Sequence, residues 1–327
     1  MNYELPASIR LSVEGIALER VGVSALRDAA EAVSMRYRRE DMGGSSGGGL
    51  QIKTEAEALA YLVARMPATY AANARVLAEV ERLLPDFSPQ SVLDIGAGPG
   101  TASVAVGQAY SSIKSINLVE PNRFLQSIGK DVLSPYLVGA DWQMDRVESF
   151  VPKTQYDLVL ASYVLNETPL DKVHKLVEKI WTSCCGVMII LEPGTPQGAG
   201  IIQKIRDFAV QADNTYLLAP CPHDGGCPLA NHETRWCHFS VRTSRTKLHK
   251  TLKSGDAGFE DEKFSYVILS RFPASRSAYR LMGHPSGSKL REMQVCGPQG
   301  TETLQVSKSH PLHKLSKKLD WGDGFDI

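Results

Sequence analysis

Apolar residues recur at i, i+3 and i+4 through ASIRLSVEGIALERVG (7–22) and SALRDAAEAVSMRYRRE (24–40), a spacing that predicts two amphipathic helices. The pattern stops at DMGGSSGGGLQ (41–51), whose glycines and serines predict a flexible loop. It resumes in TEAEALAYLVARM (54–66) and, past Pro67, in ATYAANARVLAEVERLL (68–84), predicting two more helices separated at the proline. From Ser91 the rhythm changes. Short apolar runs at SVLDIG, SINLVE, YDLVLASYV and GVMIILEPG alternate with helical periodicity in TASVAVGQAY, NRFLQSIGKDVL, PLDKVHKLVEKIW and IIQKIRDFAVQ. Alternation of this kind predicts a parallel sheet with helices on both faces. Further on, RTSRTKLHKTLK reads as helix and KFSYVILSR as strand, while KLREMQVCGPQGTETLQVSKS alternates around a Gly-Pro turn, as a small β extension would. The expected division is a helical region over 1–85, an α/β core over 86–215, and a third region over 216–327 holding a cysteine-rich insertion, the last core strands and the β extension.

At 327 residues, 43% hydrophobic and 22% charged, the chain has the make-up of a globular protein with a sizeable core. Its formal net charge is zero, yet residues 241–318 carry fifteen Lys and Arg against six Asp and Glu. That asymmetry points to a polyanionic partner for the C-terminal third. No apolar run is long enough to span a bilayer, so no membrane partner is expected. The opening MNYELPASIRLSVEG has the pattern of neither a secretory signal nor a transit peptide, so a bacterial-type cytoplasmic location is expected. In a reducing compartment, clustered cysteines bind metal more often than they form disulfides.

The stretch SVLDIGAGPGTAS joins a strand ending near Asp94 to a helix through Gly96, Gly98 and Gly100. Glycines let backbone approach a ligand closely, and the new helix offers unpaired N–H groups. The spacing is G-x-G-x-G rather than the G-x-G-x-x-G of nicotinamide sites. A carboxylate two residues before the first glycine would repel a pyrophosphate but suits a ligand carrying an ammonium group. The stretch resembles motif I of class I S-adenosylmethionine-dependent methyltransferases. That resemblance implies their Rossmann-like fold, with Asp94 and the 96–100 loop at the methionine end of S-adenosylmethionine. It also implies Glu120 on the ribose hydroxyls and Asp141 near the adenine amine. After the fourth strand the chain reads LASYVLNETP, without the paired prolines of amine-methylating enzymes; Asn166 and Glu167 are expected to face the ligand. Cys184 and Cys185 read as core residues, and no catalytic base stands out.

CPHDGGCPLANHETRWCHF (221–239) holds three of the six cysteines. Cys221, Cys227 and Cys237, with Cys296 far downstream, give four thiolates, enough for zinc or for an iron–sulfur cluster. The close C-x₂₋₄-C pairs of zinc ribbons are missing, but spacing alone does not decide, and His223, His232 and His238 keep zinc open.

The glycine loop, LEPGTPQG, CPHDGGCPL, WCHF, VCGPQG, VSKS and WGD occur in an order that resembles the methyltransferase-like assembly factors of the mitochondrial small ribosomal subunit, and specifically their bacterial relatives. The resemblance runs from about Thr54 to Asp323. It implies S-adenosylmethionine, a 4Fe–4S cluster on Cys221, Cys227, Cys237 and Cys296, and action on the assembling small subunit and its rRNA, with no role for DNA. Three activities remain open: rRNA methylation, non-catalytic assembly in which S-adenosylmethionine sets the protein's shape, and RNA binding gated by the cluster. Phosphate contacts are expected from Arg242, Arg245, Lys247 and Lys250 and from Lys308, Lys314, Lys317 and Lys318.

Overall fold

The structure, a computed structural model, describes residues 3–41, 52–230, 232–253 and 255–327. Of the predicted glycine-rich loop, 41–51, only Asp41 is described, as the last residue of α2, and 42–51 lie outside the described residues. Helices α1 (Ala7–Arg20), α2 (Val23–Asp41) and α3 (Glu55–Leu83) come first. The Thr54 hydroxyl caps α3 by accepting from Glu57 N at 3.1 Å, and Glu57 reaches back to Lys53 N at 2.7 Å. The break expected at Pro67 does not occur; α3 runs unbroken through it. A proline inside a helix costs about 3 kcal/mol. Here Met66, Pro67, Ala68, Tyr70, Ala71 and Ala72 are all buried, so packing around the helix outweighs that cost.

The core then follows as β1 (Ser91–Ile95), α4 (Thr101–Ala109), β2 (Ser115–Val119), α5 (Arg123–Val132), β3 (Ala140–Gln143), β4 (Tyr156–Ser162), α6 (Leu170–Trp181), β5 (Cys184–Pro193), α7 (Pro196–Gln211) and β6 (Tyr216–Ala219). Next come β7 (Phe239–Ser244), α8 (Lys247–Lys253) and β8 (Phe259–Ser270). Among the described residues the main sheet runs β3-β2-β1-β4-β5-β8-β6, with β7 also paired to β8. The first five strands are parallel, and β8 is antiparallel to its neighbours. This is the Rossmann-like α/β layout of class I methyltransferases that the glycine loop implied.

Both sheet faces are covered, as the unbroken apolar runs predicted. Val92, Leu158, Leu160, Val187 and Ile189 face the core built with α1 to α5. Leu93, Ile95, Val159, Met188 and Ile190 face the one built with α6 and α7. Strand alternation therefore turns Asp94 to the same side as Val92, towards α3 and α4.

A second, smaller sheet joins β9 (Tyr279–Leu281), β10 (Leu290–Gly297) and β11 (Gly300–Ser307), followed by the short helix α9 (His313–Ser316) and β12 (Gly324–Phe325), in the order β11-β10-β9-β12. The hairpin closes where Gly297 pairs with Gly300, at the expected Gly-Pro turn. Among the described residues no helix is long and apolar enough to cross a membrane.

Candidate functional site

A cavity of about 290 Å³ opens where β1, β2 and β4 end. Its floor is the glycine loop. Gly96 has φ +68, and a Cβ there would come within 2.3 Å of Val164. Gly98 has φ +56, and a Cβ would meet nothing within 4 Å, because that side of the residue is open. The first glycine thus allows two loops to pack, and the second leaves room in the cavity.

Glu120, at the tip of β2, ties the loop together. Its Oε2 accepts from Gly98 N at 2.8 Å and its Oε1 from Asn122 N at 2.7 Å. Asn122 caps α5 by accepting from Phe124 N and Leu125 N. Burial pushes the Glu120 carboxyl up to about 7, against those two backbone bonds. Asp94 is wholly buried; its Oδ2 accepts from Ser103 Oγ at 2.7 Å, while Oδ1 has no partner. Burial likewise raises Asp94 to about 6. A buried carboxylate oxygen left unpaired at a cavity wall costs free energy unless a donor fills the gap.

Asp141 does not join this group. It lies exposed on β3, opposite Asn117, whose Nδ2 donates to it at 3.3 Å, and it does not line the cavity. The strand continues two residues further, to Gln143, whose carbonyl accepts from Glu120 N at 3.0 Å. Arg146, just past the strand, is the lining residue from that side. The register with β2, which fixes where β3 ends, is not written in the acidic residue itself.

Glu167 lines the cavity, but Asn166 does not. The Asn166 backbone N donates to Glu192 Oε2 at 3.2 Å, and its carbonyl accepts from Gln197. Glu192, the acid of LEPG, is fully buried, also accepts from Leu165 N at 2.8 Å, and is pushed by burial up to about 8. It holds the loop after β4 in place. In that loop Tyr163 adopts φ +59, rare for a residue with a side chain. Its hydroxyl donates to Glu262 Oε1 at 2.9 Å, and Glu262 pairs with Arg65 of α3 at 3.0 Å. Helix α3 adds Tyr61, Met66 and Thr69 to the wall, residues that helical periodicity alone did not single out.

Cys221, Cys227, Cys237 and Cys296 line a second, small cavity, with Arg206, His223 and Arg280 beside them and Pro220, Pro222, Pro228, Leu229 and Met282 as its apolar wall. Cys296 is delivered by β10, and its Sγ lies 3.8 Å from His223 Nε2. All six cysteines are free. Burial raises the Cys221 thiol, takes Cys296 to about 12, and drives Cys237 well above the usual range, with Cys221, Cys227 and Cys296 adding to the last. Among the described residues no group of three or more His, Cys, Asp or Glu is placed to hold a metal ion. His232 is exposed, and His238 packs between Trp236 and Trp321. Cys184 is a core residue as expected, whereas Cys185 is exposed, 3.7 Å from Asp157.

The basic residues divide in two. Arg242 pairs with Asp261 and Arg245 with Glu260, both at 2.7 Å, on acids of β8, and Glu260 also holds Lys253 at 2.7 Å. Around α9, by contrast, Lys317, Arg291 and Lys308 surround His313, whose pKa is lowered by desolvation and then by those cations. Lys314, Lys317 and Lys318 are exposed there.

The family described as mitochondrial small ribosomal subunit Rsm22 matches residues 55–326. Human METTL17, a mitochondrial ribosome assembly protein, is 26% identical over 296 residues, covering 83% of this chain and 62% of the human one. Rsm22-cox11 tandem protein 2 of Schizosaccharomyces pombe, also mitochondrial, is 31% identical over 197 residues, or 54% of this chain and 26% of that protein. The chain thus spans less than two thirds of either relative. Among solved structures, magnesium protoporphyrin IX methyltransferase from Synechocystis, with bound S-adenosylmethionine, is 12% identical and covers 76% of this chain and 96% of its own, with a TM-score of 0.41.

Proposed function

The chain belongs to the Rsm22 family, and on that premise we propose that it binds S-adenosylmethionine and assists assembly of the small ribosomal subunit, touching its rRNA through the basic face around α9. The observation that carries the ligand is the unpartnered Oδ1 of Asp94 at the wall of the glycine-loop cavity. The ammonium group of S-adenosylmethionine supplies the donor that this atom lacks. Glu120 offers two carboxylate oxygens to a ribose diol, and Gly98 leaves the space. Arg146, not Asp141, stands nearest the adenine end in this reading.

For the partner, support comes from the relatives' role in ribosome assembly, from Arg291, Lys308 and Lys317 acting together on His313, and from the exposed Lys314 and Lys318 beside them. Assembly without methyl transfer is the reading favoured here, because the loop after β4 reads LASYVLNETP, without the paired prolines of amine-methylating enzymes. Mapping small-subunit rRNA modifications by mass spectrometry with and without the protein tests this. A methyl group that disappears with the protein makes it an enzyme.

We further propose that the four cysteine thiolates hold a 4Fe–4S cluster. Their convergence on one largely apolar cavity supports a thiolate-ligated centre. One zinc would require sulfurs about 3.8 Å apart, from tetrahedral bonds of about 2.3 Å. The cysteine motifs CPHDGGCPL, WCHF and VCGPQG, in the order that carries the family resemblance, favour the cluster. When bound, the cluster supplies ligand bonds that fasten the insertion to β10. Anaerobic purification followed by iron, sulfide and zinc analysis decides between the two: one tightly held zinc without acid-labile sulfide excludes the cluster.

A further inference from the structure

Two guanidinium groups wall the cysteine cavity, and their surroundings differ. Arg280, on β9, is 3% exposed. Its Nη2 donates to Glu79 Oε1 of α3 at 2.6 Å, its Nε to Pro220 O at 2.9 Å and its Nη1 to Gly322 O at 2.9 Å. A buried carboxylate therefore stands against its charge, shared with Arg82, whose Nη2 donates to the same Oε1 at 2.8 Å.

Arg206, on α7, is 4% exposed. Its Nε donates to Cys221 Sγ at 3.3 Å, and its Nη2 donates to the carbonyls of His223 and Gly225. The carboxylate paired with it, Asp207, is its neighbour on the same helix, 3.6 Å away and 52% exposed, where solvent screens it. A buried cation is costly unless a comparably buried anion stands against it. Cys221 and the thiols beyond it occupy that position.

We propose that Arg206 is a positioning residue of the cysteine centre: it orients Cys221 through an N–H···S bond and offsets the negative charge of the ligating thiolates. This rests on the reading that the four thiols ligate a metal. Arg280 has a separate task, holding the insertion and the small sheet against α3 through Glu79. The two arginines are alike in burial and differ in which anion each one meets.

The test uses the full chain, purified anaerobically, as wild type, Arg206→Gln and Arg206→Lys. Metal and sulfide per chain are measured, then the rate of metal loss to a chelator and the reduction midpoint, with a thermal melt in S-adenosylmethionine as the control for folding. Arg206→Gln is expected to release its metal roughly 10–100-fold faster. Its midpoint should be more negative, because removing a buried cation disfavours an added electron. Arg206→Lys, which keeps the charge and loses the fork of donors, should fall between the two, and it serves alone if the Gln variant does not fold. A loaded Gln variant with wild-type release and midpoint, or a Lys variant as leaky as Gln, overturns the role of Arg206 alone. A wild-type chain without metal overturns the metal reading and this role with it. Zinc in place of iron overturns the cluster, while faster zinc release from the Gln variant still sustains the role of Arg206.

Discussion

Lowering the pH from 8 to 5.5 should weaken S-adenosylmethionine binding steeply, and Glu120 is the main reason. In the ligand-free cavity, burial holds its carboxyl near 7 and that of Asp94 near 6. A ribose diol donates to the ionised form of Glu120, and an ammonium group favours ionised Asp94. Binding therefore lowers both pKa values and releases protons. Affinity is full above about 7 and is lost as the pH falls through that value, by about tenfold per unit for the first group and more steeply below about 6 as the second joins. The ligand-free fold has the opposite sign: a carboxyl raised by burial favours the protein at low pH, and that contribution is lost as the pH rises through the raised value. Thermal stabilisation by the ligand should therefore grow with pH over this range. Removing the side chain gives an independent magnitude. Charge-assisted bonds to a buried carboxylate contribute about 1.5–3 kcal/mol, so Glu120→Ala should weaken binding about 10- to 150-fold. Glu120→Gln should not restore it. Both carboxylate oxygens accept backbone N–H groups, and an amide nitrogen would set a donor against one of them. Titration calorimetry between pH 5.5 and 8 reads both effects. Wild-type affinity that stays flat with pH, together with a Gln variant within twofold of it, would refute the assignment.

Gly96→Ala should cost about 1–3 kcal/mol in a thermal melt, because the residue sits at φ +68 and the new methyl would meet Val164 at 2.3 Å; an unchanged midpoint contradicts the packing described. Glu79→Ala strips Arg280 of its buried carboxylate and should destabilise the chain by about 3–5 kcal/mol, read by urea denaturation, with a loss under 1 kcal/mol counting against the pair. Binding to small-subunit RNA should fall steeply with salt, and Arg291→Glu with Lys317→Glu should weaken it and flatten the salt slope, whereas Arg242→Ala should change little. Filter binding at several salt concentrations distinguishes these, and a salt-independent affinity points to a protein contact instead.

The glycine loop was legible because everything that shapes it lies within a few residues. A strand ends, glycines take left-handed angles, and a helix begins, so type and spacing carry the geometry. Glu120 was legible for the same reason, standing at the last position of an apolar strand. The two-sided burial of the sheet followed from unbroken apolar runs, and the terminal hairpin from alternation around Gly-Pro. Where the sequence misled, a distant partner decided. Helix α3 passes Pro67 because the strands and helices around it bury most of that turn, Met66, Pro67, Ala68 and Tyr70 among it. Asp141 misses the cavity because β2 sets how far β3 extends. Strand β7 takes only the first three residues, 242–244, of the basic stretch read as helix, and its pairing with β8 brings Asp261 opposite Arg242. Tyr163 shows no local reason for its left-handed angle; Glu262 and Arg65, far along the chain, hold it there. The four cysteines could be counted in the sequence, but the fold alone brings Cys296 to the other three and sets Arg206 and Arg280 beside them. Conformational preference acts through neighbouring bonds and can be read residue by residue. Register, burial and charge pairing depend on what the rest of the chain places alongside, which only the folded molecule determines.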